Sequence, residues 1–455
     1  MRQKFLFMTK YDINELYEHT LEPFHLKRLL TDLGERTIYD AVAQCNRCGY
    51  CETVCPTYMI TGRETISARG RNQFLRLLIE GKTRAIGSAE ESFSTCLLCG
   101  ACSSICYAKV PTADLVLEGR RSGAGYGRGF AARLAVDLLL NKRPLFELAL
   151  KAGFLLKRLG LAALAGKLGL YDFIGMPALE TARASLDRAP LRFLRELLGR
   201  DASLKPEGKK EISWAYFAPC GPNYLFTEVG RSTVALLKRF LGEGVFADNF
   251  CCGLLAYNYG RVTEAREFAK KNILRFEKLK SLFGEFTVVG DCSSCVAFMK
   301  TYEQLFTGDE EWRPRARAFS AAVKDILEAL PAEKIKRRAP APGETVTYHD
   351  SCRAVHGQGI RAEPREALKE LAGGAFTELP ESDWCCGGAG AYAFTQPALS
   401  EKIADRKIRN IASTRAKTVV VGATSCLLQI NAGLKKKYPS ARAVHYSVYL
   451  DNATK

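Results

Sequence analysis

The sequence predicts a multidomain α and α/β chain, with a helical N-terminal part followed by two copies of one α/β module. Three observations carry that expectation. Eight of the 17 cysteines fall in two dense runs that end at Cys106. The other nine recur as two looser sets: Cys220, Cys251, Cys252, Cys292 and Cys295, then Cys352, Cys385, Cys386 and Cys426. Their offsets nearly agree, at 132 (352 − 220), 134 (385 − 251) and 131 (426 − 295) residues, and a repeat of this kind implies one fold used twice. Each copy opens on a β-like run (ISWAYFA; ETVTYHD), passes through helical segments and reaches a second β-like run (FTVVG; KTVVVG). That alternation predicts an α/β module with cysteines on the loops after its strands.

The first part, residues 1–125, holds the two dense runs. Cys45, Cys48, Cys51 and Cys55, followed by Pro56, form a complete C-x2-C-x2-C-x3-C-P run. Cys96, Cys99, Cys102 and Cys106 repeat it, with Tyr107 in place of proline. Two-residue gaps let a loop curl so that three thiolates reach three irons of one [4Fe–4S] cube, while the fourth cysteine reaches the companion cube. One cluster is therefore expected on Cys45, Cys48, Cys51 and Cys106, and the other on Cys96, Cys99, Cys102 and Cys55. Gly49, Gly100 and Ala101 are small enough for backbone N–H groups to approach the cluster sulfurs, which stabilises a reduced, more negative cube. Zinc also uses C-x2-C pairs, but a third cysteine at the same short spacing is foreign to it. The 40 residues between Cys55 and Cys96 include the helix-like RNQFLRLLIEGK (71–82), which points to a helical ferredoxin domain.

Residues 126–210 read differently. Arg128, Arg133, Lys142, Arg143, Lys151, Lys157, Arg158 and Lys167 stand against Asp137 and Glu147, among apolar stretches (LAVDLLL, LFELALKAGFLL, LGLAALAGKLGL) suited to helices, with a break expected at Pro144. Such helices could lie on a membrane or grip a partner; packing on their own domain is the commoner use of amphipathicity. Polar stretches at 200–211 and 331–344 set off a first module at 211–335 and a second at 336–455. The Gly-rich RSGAGYGRG (121–129) follows no strand and lacks the P-loop Lys-Ser/Thr, so it reads as a linker.

Composition limits the function. At 455 residues, 47% apolar and 25% charged, the chain is ordinary globular protein. It contains no run of about 18 uncharged apolar residues, and the N-terminus (MRQKFLFMTKYDINELYEHT) has no secretory pattern, so a cytoplasmic location is expected. Thiols in that compartment stay reduced, which makes 17 cysteines metal ligands in preference to disulfides. The net charge of +17 suits an acidic partner or an anionic membrane surface, or simply a solvated basic face. No nucleic-acid motif accompanies it.

The paired cysteines Cys251-Cys252 and Cys385-Cys386 need an irregular backbone, which Gly253 and Gly387 supply. Five cysteines in the first copy exceed the needs of one cubane. The phrases CNRCGYCETVCPTY, HDSCRAVHGQ, WCCGGAGAY and ATSCLLQI, in this order, resemble the iron–sulfur subunits of glycolate and lactate oxidases. The paired-cysteine sets resemble the CCG domains that those proteins share with heterodisulfide reductase subunits. The resemblance implies an electron conduit. A FAD-containing subunit oxidises a 2-hydroxy acid, glycolate or lactate, and this chain passes electrons through its clusters to a quinone or another acceptor, with further electron-transfer subunits or the inner face of the membrane as contacts. The alternative it implies is heterodisulfide-reductase-like reduction of a disulfide or other acceptor at a noncubane [4Fe–4S] cluster in the first CCG copy, within a flavin-based bifurcating complex. An interaction scaffold or sensor with structural clusters is a third reading. The second copy has Ala423 where the first has Cys292, so its four cysteines are left to a cubane, zinc or neither. His349, Asp350 and His356 flank Cys352 and read either as a proton relay or cluster hydrogen-bond donors, or as a structural loop. No flavin fingerprint is present.

Overall fold

A computed structural model of the chain describes residues 38–83, 86–122, 137–138, 142–168, 190–201, 204, 211–336, 344–390 and 392–455. Most of the Gly-rich RSGAGYGRG and of LAVDLLL lies outside these residues, as do most of the 200–211 linker and 337–343 of the next.

The N-terminal part is helical, as its sequence predicts. Short helices α1 (Pro56–Thr61), α2 (Ala68–Ile79), α3 (Ile86–Ser94), α4 (Ala101–Ile105) and α5 (Thr112–Ser122) surround the cysteine runs. Helix α2 starts three residues earlier than the apolar pattern suggests, because Ser67 caps it by accepting from the Gly70 N–H at 2.9 Å. Leu75, Phe93, Leu98, Val110, Leu115 and Val116 form the core of this part.

Each C-terminal copy is a parallel sheet flanked by helices. In the first, β1 (Trp214–Phe217), β2 (Gly244–Phe246), β3 (Thr287–Gly290) and β4 (Val323–Asp325) stand in the order β2-β1-β3-β4. In the second, β5 (Val346–His349), β6 (Thr418–Val421) and β7 (Arg442–His445) stand in sequence order. A lone parallel bridge between Val346 and Phe376 occupies the place that β2 has in the first copy. The strands are short, apolar runs buried on both faces, the pattern of parallel sheets.

The two copies are welded together, and the weld crosses the 335/336 boundary that the linker suggests. The last helix of the second copy, Tyr446–Thr454, packs on Thr227–Leu241 of the first. There Ser232 donates to Asp451 at 3.1 Å and Arg239 pairs with Asp451. Reciprocally, Ile326, Leu327, Leu330 and Ile335, which follow β4, share an apolar cluster with Tyr348, Leu368 and Leu371 of the second copy. Each module thus lends its terminal helix to the other. Residues of the preceding region join the same core: Leu194, Leu198 and Leu204 pack beside Trp214 and Leu237.

The helix Arg143–Arg158, with Pro144 in its first turn, settles part of the basic region's ambiguity. Phe146, Leu150 and Phe154 face Phe193 and Tyr224, so this face packs on its own chain. Leu148, Leu155, Leu156, Leu159, Leu161, Leu164 and Leu168 are exposed.

The tightest point of the weld is Gly221, where a Cβ would stand 2.0 Å from Thr424 Oγ1 and 2.6 Å from Thr424 Cβ. Thr424 is short, branched and buried, so it has nowhere to go. Gly221→Ala should lower the stability of anaerobically prepared protein by about 1–3 kcal/mol, read as a lower urea midpoint. Gly153→Ala on the exposed helix, where a Cβ meets nothing within 4 Å, should leave the midpoint unchanged or raise it.

Candidate metal centres

The two N-terminal runs adopt the same loop. Residues on either side of the middle cysteine are left-handed: Arg47 (φ 57°) and Gly49 (φ 80°) around Cys48, Leu98 (φ 54°) and Gly100 (φ 83°) around Cys99. An arginine and a leucine in this region cost about 1 kcal/mol or more each, and the same strain at both loops marks a shape imposed by what the thiols hold. The curl turns backbone donors inward, with the Leu98 N–H 3.4 Å from Cys96 Sγ.

Cys45, Cys48, Cys51 and Cys106 line one cavity of about 240 Å³, which Cys102 borders as well. Cys55, Cys96, Cys99 and Cys102 line another. The last cysteine of each run therefore crosses to the other group. Burial, then Cys45, Cys55 and Cys106, push the Cys51 thiol up to about 12. Burial, then Cys96 and Cys55, likewise push Cys102 up. Thiols crowded this way resist ionisation unless a cation enters among them, and iron supplies that charge.

Arg71 on α2 belongs to no motif that would single it out from the sequence. It is 2% exposed. Its guanidinium donates to Ser92 O at 2.8 Å, to Thr57 and Thr95 Oγ1 at 3.1 Å each, and lies 3.7 Å from Cys55 Sγ. Burial opposes its charge, but the Cys96, Cys55 and Cys102 thiols more than offset this and hold it above its ordinary value. These partners are neutral apart from the thiols, so the countercharge for Arg71 is the thiolate group itself. A buried cation without a carboxylate fits an anionic four-thiolate cluster. Asn72 plays a milder part at the first group, with Nδ2 3.8 Å from Cys45 Sγ.

In the first CCG copy the cysteines follow strand ends. Cys220 opens a helix just after β1, and Cys292 caps the helix Ser293–Met299 just after β3. Cys220 Sγ lies 3.5 Å from Cys251 Sγ. Cys252 is held against Cys251 and Cys295, and Cys295 against Cys292, which joins all five thiols. The Cys295 contact and the Thr424 hydroxyl pull Cys292 down to about 6. Beside it Asp291 accepts from Tyr216 Oη and Thr233 Oγ1, each at 2.8 Å, and burial pushes its carboxyl up to about 7. Gly253 is left-handed (φ 86°) and its N–H points at Cys251 Sγ.

The second copy repeats the frame. Gly387 is left-handed (φ 84°), with Ser400 O 2.6 Å from where a Cβ would stand. Cys386 Sγ is 3.3 Å from Cys426 Sγ, and Cys385 lies against both Cys352 and Cys386. Cys426 is the third residue of the helix Thr424–Lys437, as Cys295 is of its helix, and Ala423 caps where Cys292 does. Lys407, fully buried beside Cys385 and Cys386, donates to Glu381 O and Ser382 O; burial brings its amine down to about 8.

The three residues flanking Cys352 do not form a loop. His349 ends β5, Asp350 is buried in an ion pair with Arg365, and His356 sits on a helix (Cys352–Gln358) with Nδ1 3.0 Å from Ser104 Oγ of the N-terminal part.

The four thiol groups are contiguous. Cys99 lies near enough to Cys352 for their charges to repel, and Leu97, Cys99, Trp384, Cys385 and Cys352 share one apolar cluster. Tyr392 Oη donates to Thr95 O across the same junction at 2.9 Å. At the far side, Thr424 Oγ1 approaches Cys292 Sγ at 3.6 Å, and Cys292, Cys295, Cys386 and Cys426 share another cluster. The second copy's cysteines thus touch both the second N-terminal group and the first copy.

Comparison with known proteins agrees with this layout. Residues 41–110 match the family described as the 4Fe-4S dicluster domain, which implies two clusters there. Residues 214–300 and 346–431 each match the cysteine-rich CCG domain, whose cysteines suggest further metal sites. The chain is 30% identical over 432 residues to the probable glycolate oxidase iron-sulfur subunit of Bacillus subtilis (strain 168), covering 92% of this chain and 96% of that one. It is 27% identical over 396 residues to the glycolate oxidase iron-sulfur subunit of Escherichia coli (strain K12), covering 84% and 88%. Lactate utilization protein A of an Exiguobacterium strain is 32% identical over 246 residues, 53% of this chain and 98% of that one. With a helical dicluster domain followed by two CCG repeats, the chain belongs to the CCG-domain iron–sulfur family of the glycolate oxidase iron–sulfur subunits.

Proposed function

We propose that this chain is the electron-transfer subunit of a 2-hydroxy-acid oxidoreductase, taking electrons from a FAD-containing subunit that oxidises glycolate or lactate and delivering them to a quinone or another acceptor. The observation that carries this reading is the unbroken contact among the four cysteine groups, from the N-terminal pair through the second CCG copy to the first. Structural clusters in a scaffold or sensor would have no need to touch. Cys45, Cys48, Cys51 and Cys106 hold one [4Fe–4S] cubane, and Cys96, Cys99, Cys102 and Cys55 hold the other. Cys220, Cys251, Cys252, Cys292 and Cys295 hold a third cluster, whose five thiols suit a noncubane form. Cys352, Cys385, Cys386 and Cys426 provide the fourth site.

Within this scheme the protein's own residues set where electrons rest. Arg71 and the inward N–H groups of the curled loops favour the more negative, reduced state of the second cubane. Lys407 does the same for the second CCG site. The buried Asp291 carboxyl beside Cys292 offers a proton site at the end of the path, which also suits the second reading: reduction of a disulfide or quinone at the first CCG copy.

No helix among the described residues is long and apolar enough to cross a membrane. The exposed leucines of 148–168, flanked by Lys142, Arg143, Lys157 and Arg158, have the chemistry of a face that docks on a partner or on an anionic surface.

Anaerobically purified protein should carry about 12 or more irons with matching acid-labile sulfide, and pass electrons from a reduced FAD-containing partner to a quinone analogue. About eight irons would confine clusters to the N-terminal pair and sink the longer path. Arg71→Met should lower the potential of one N-terminal cluster by on the order of 100 mV, as removal of a unit charge about 6 Å away implies at an effective dielectric of about 20. Arg71→Lys should largely restore it in potentiometric EPR titration. Flotation with anionic liposomes should recover the protein at low salt and release it in part at high salt; no recovery at low salt removes the surface-docking role.

A further inference from the structure

The two CCG copies differ at two positions that the fold brings together. Cys292 of the first copy is replaced by Ala423. Three residues before the first cysteine of each set, the first copy has Phe217 and the second has His349. Both end the first strand of their sheet, paired in register with the strand that leads to the cap position: Phe217 with Gly290, His349 with Val421. Phe217 is ordinary core, packed among Val288, Val296 and Phe298. His349 stands at the same buried place with 0% exposure, and among the described residues no oxygen or nitrogen pairs with its ring, which the Cys386 thiol approaches instead.

An imidazole does not sit in a protein interior without a partner unless something else satisfies it. What faces it is sulfur. A ring nitrogen of His349 and the thiols of Cys386 and Cys426 all lie within 4.8 Å of one another, every one of them buried. The two thiols are 3.3 Å apart. Two thiolates bound to one tetrahedral ion with bonds of about 2.3 Å stand roughly 3.8 Å apart, much closer than thiolates on separate corners of a cube. The other neighbours do not compete for the ring: Asp350 is taken by Arg365, and Lys407 is turned to the Glu381 and Ser382 carbonyls.

We infer that His349 is a metal ligand of the second CCG copy, binding through an imidazole nitrogen the same tetrahedral ion that Cys386 and Cys426 hold, with Cys385 or Cys352 as its fourth donor if the ion is zinc, or with both on neighbouring irons if it belongs to a sulfide cluster. The loss of the fifth cysteine is thereby made good from the neighbouring strand, and the copy keeps five donors. Thiolate and imidazole together select a borderline-soft ion, either an iron of a sulfide cluster or zinc. With iron, an imidazole in place of a thiolate removes a negative charge and raises the potential, which would make this group an electron sink next to the Cys99 cluster. The inference rests on the reading that the second copy binds metal.

The test uses the full chain, produced with 15N-labelled histidine and purified without oxygen, with iron, zinc and sulfide counted per chain. If the ion is iron, pulsed EPR of the reduced protein should reveal a directly bound imidazole nitrogen. His349→Phe, which installs the residue the first copy tolerates, should abolish that coupling and leave the N-terminal cluster signals unchanged. If the ion is zinc, X-ray absorption at the zinc edge should contain imidazole outer-shell scattering, and the same variant should lose it or the zinc. His349→Cys should retain the ion while erasing the nitrogen signature, which separates a lost ligand from a lost fold. Wild-type protein without any metal-bound nitrogen signature, or a signature surviving in both variants, overturns the assignment. Failure of the electron-carrier reading looks different: clusters that accept no electrons from a flavoprotein, with the imidazole signature intact.

Discussion

Everything in this molecule turns on gathering thiols so closely that each one's ionisation is set by its neighbours, some pushed up and others pulled down. Cys51 and Cys102 are pushed up by burial and by their neighbours, and the five thiols of the first CCG copy form one connected chain of contacts. Such crowding is unfavourable in a bare chain and becomes favourable when a cation binds, so a cluster bound there would add to the stability of the fold. The protein prepares for the bound state with strain and charge. It keeps Arg47 and Leu98 at positive φ, buries Arg71 with no carboxylate among its hydrogen-bond partners, and turns Lys407 inward beside Cys385 and Cys386. Each choice is costly alone and sensible around an anionic cluster.

The duplicated half solves a second problem, that of placing two such groups back to back. Short parallel strands put their cysteines at strand ends, where helices begin and backbone donors are available. Two separate modules would hold these ends apart. The exchange of terminal helices, Tyr446–Thr454 onto the first copy and the segment after β4 onto the second, locks the modules so that Thr424 reaches Cys292 and Gly221 must stay a glycine. The N-terminal part then meets the second copy through Tyr392, His356 and the Cys99 cluster, which fixes the order of the groups.

Much of this was legible in the sequence, because cysteine spacing is a direct record of geometry. The crossing of Cys55 and Cys106, the duplication, and the need for glycine after each paired cysteine all follow from local chain constraints. What was not legible depends on contacts distant in sequence. Arg71 lies in the helix-like stretch 71–82, and nothing in that stretch records that Ser92, Thr95 and Cys55 will close around it. The linker at 331–344 marks a change of composition, yet packing runs across it, since no local signal records which module a terminal helix will cover. His349 reads from its sequence as a proton relay, a cluster hydrogen-bond donor or part of a structural loop, and it is burial and the parallel with Phe217 that set it beside the thiols of Cys386 and Cys426.

The asymmetry between the copies has a physical logic within an electron path. Identical groups in contact would hold electrons with equal preference, and flow would depend only on the ends. Divergence makes the two sites unequal instead. The first copy has five thiols and a buried carboxyl, Asp291, next to Cys292, while the second has fewer thiols, an imidazole and the buried Lys407 amine. These surroundings differ in charge, so two sites built on one frame would differ in their affinity for an electron. Two differences at facing positions, Cys292 against Ala423 and Phe217 against His349, thus set the two cysteine groups apart within one repeated fold.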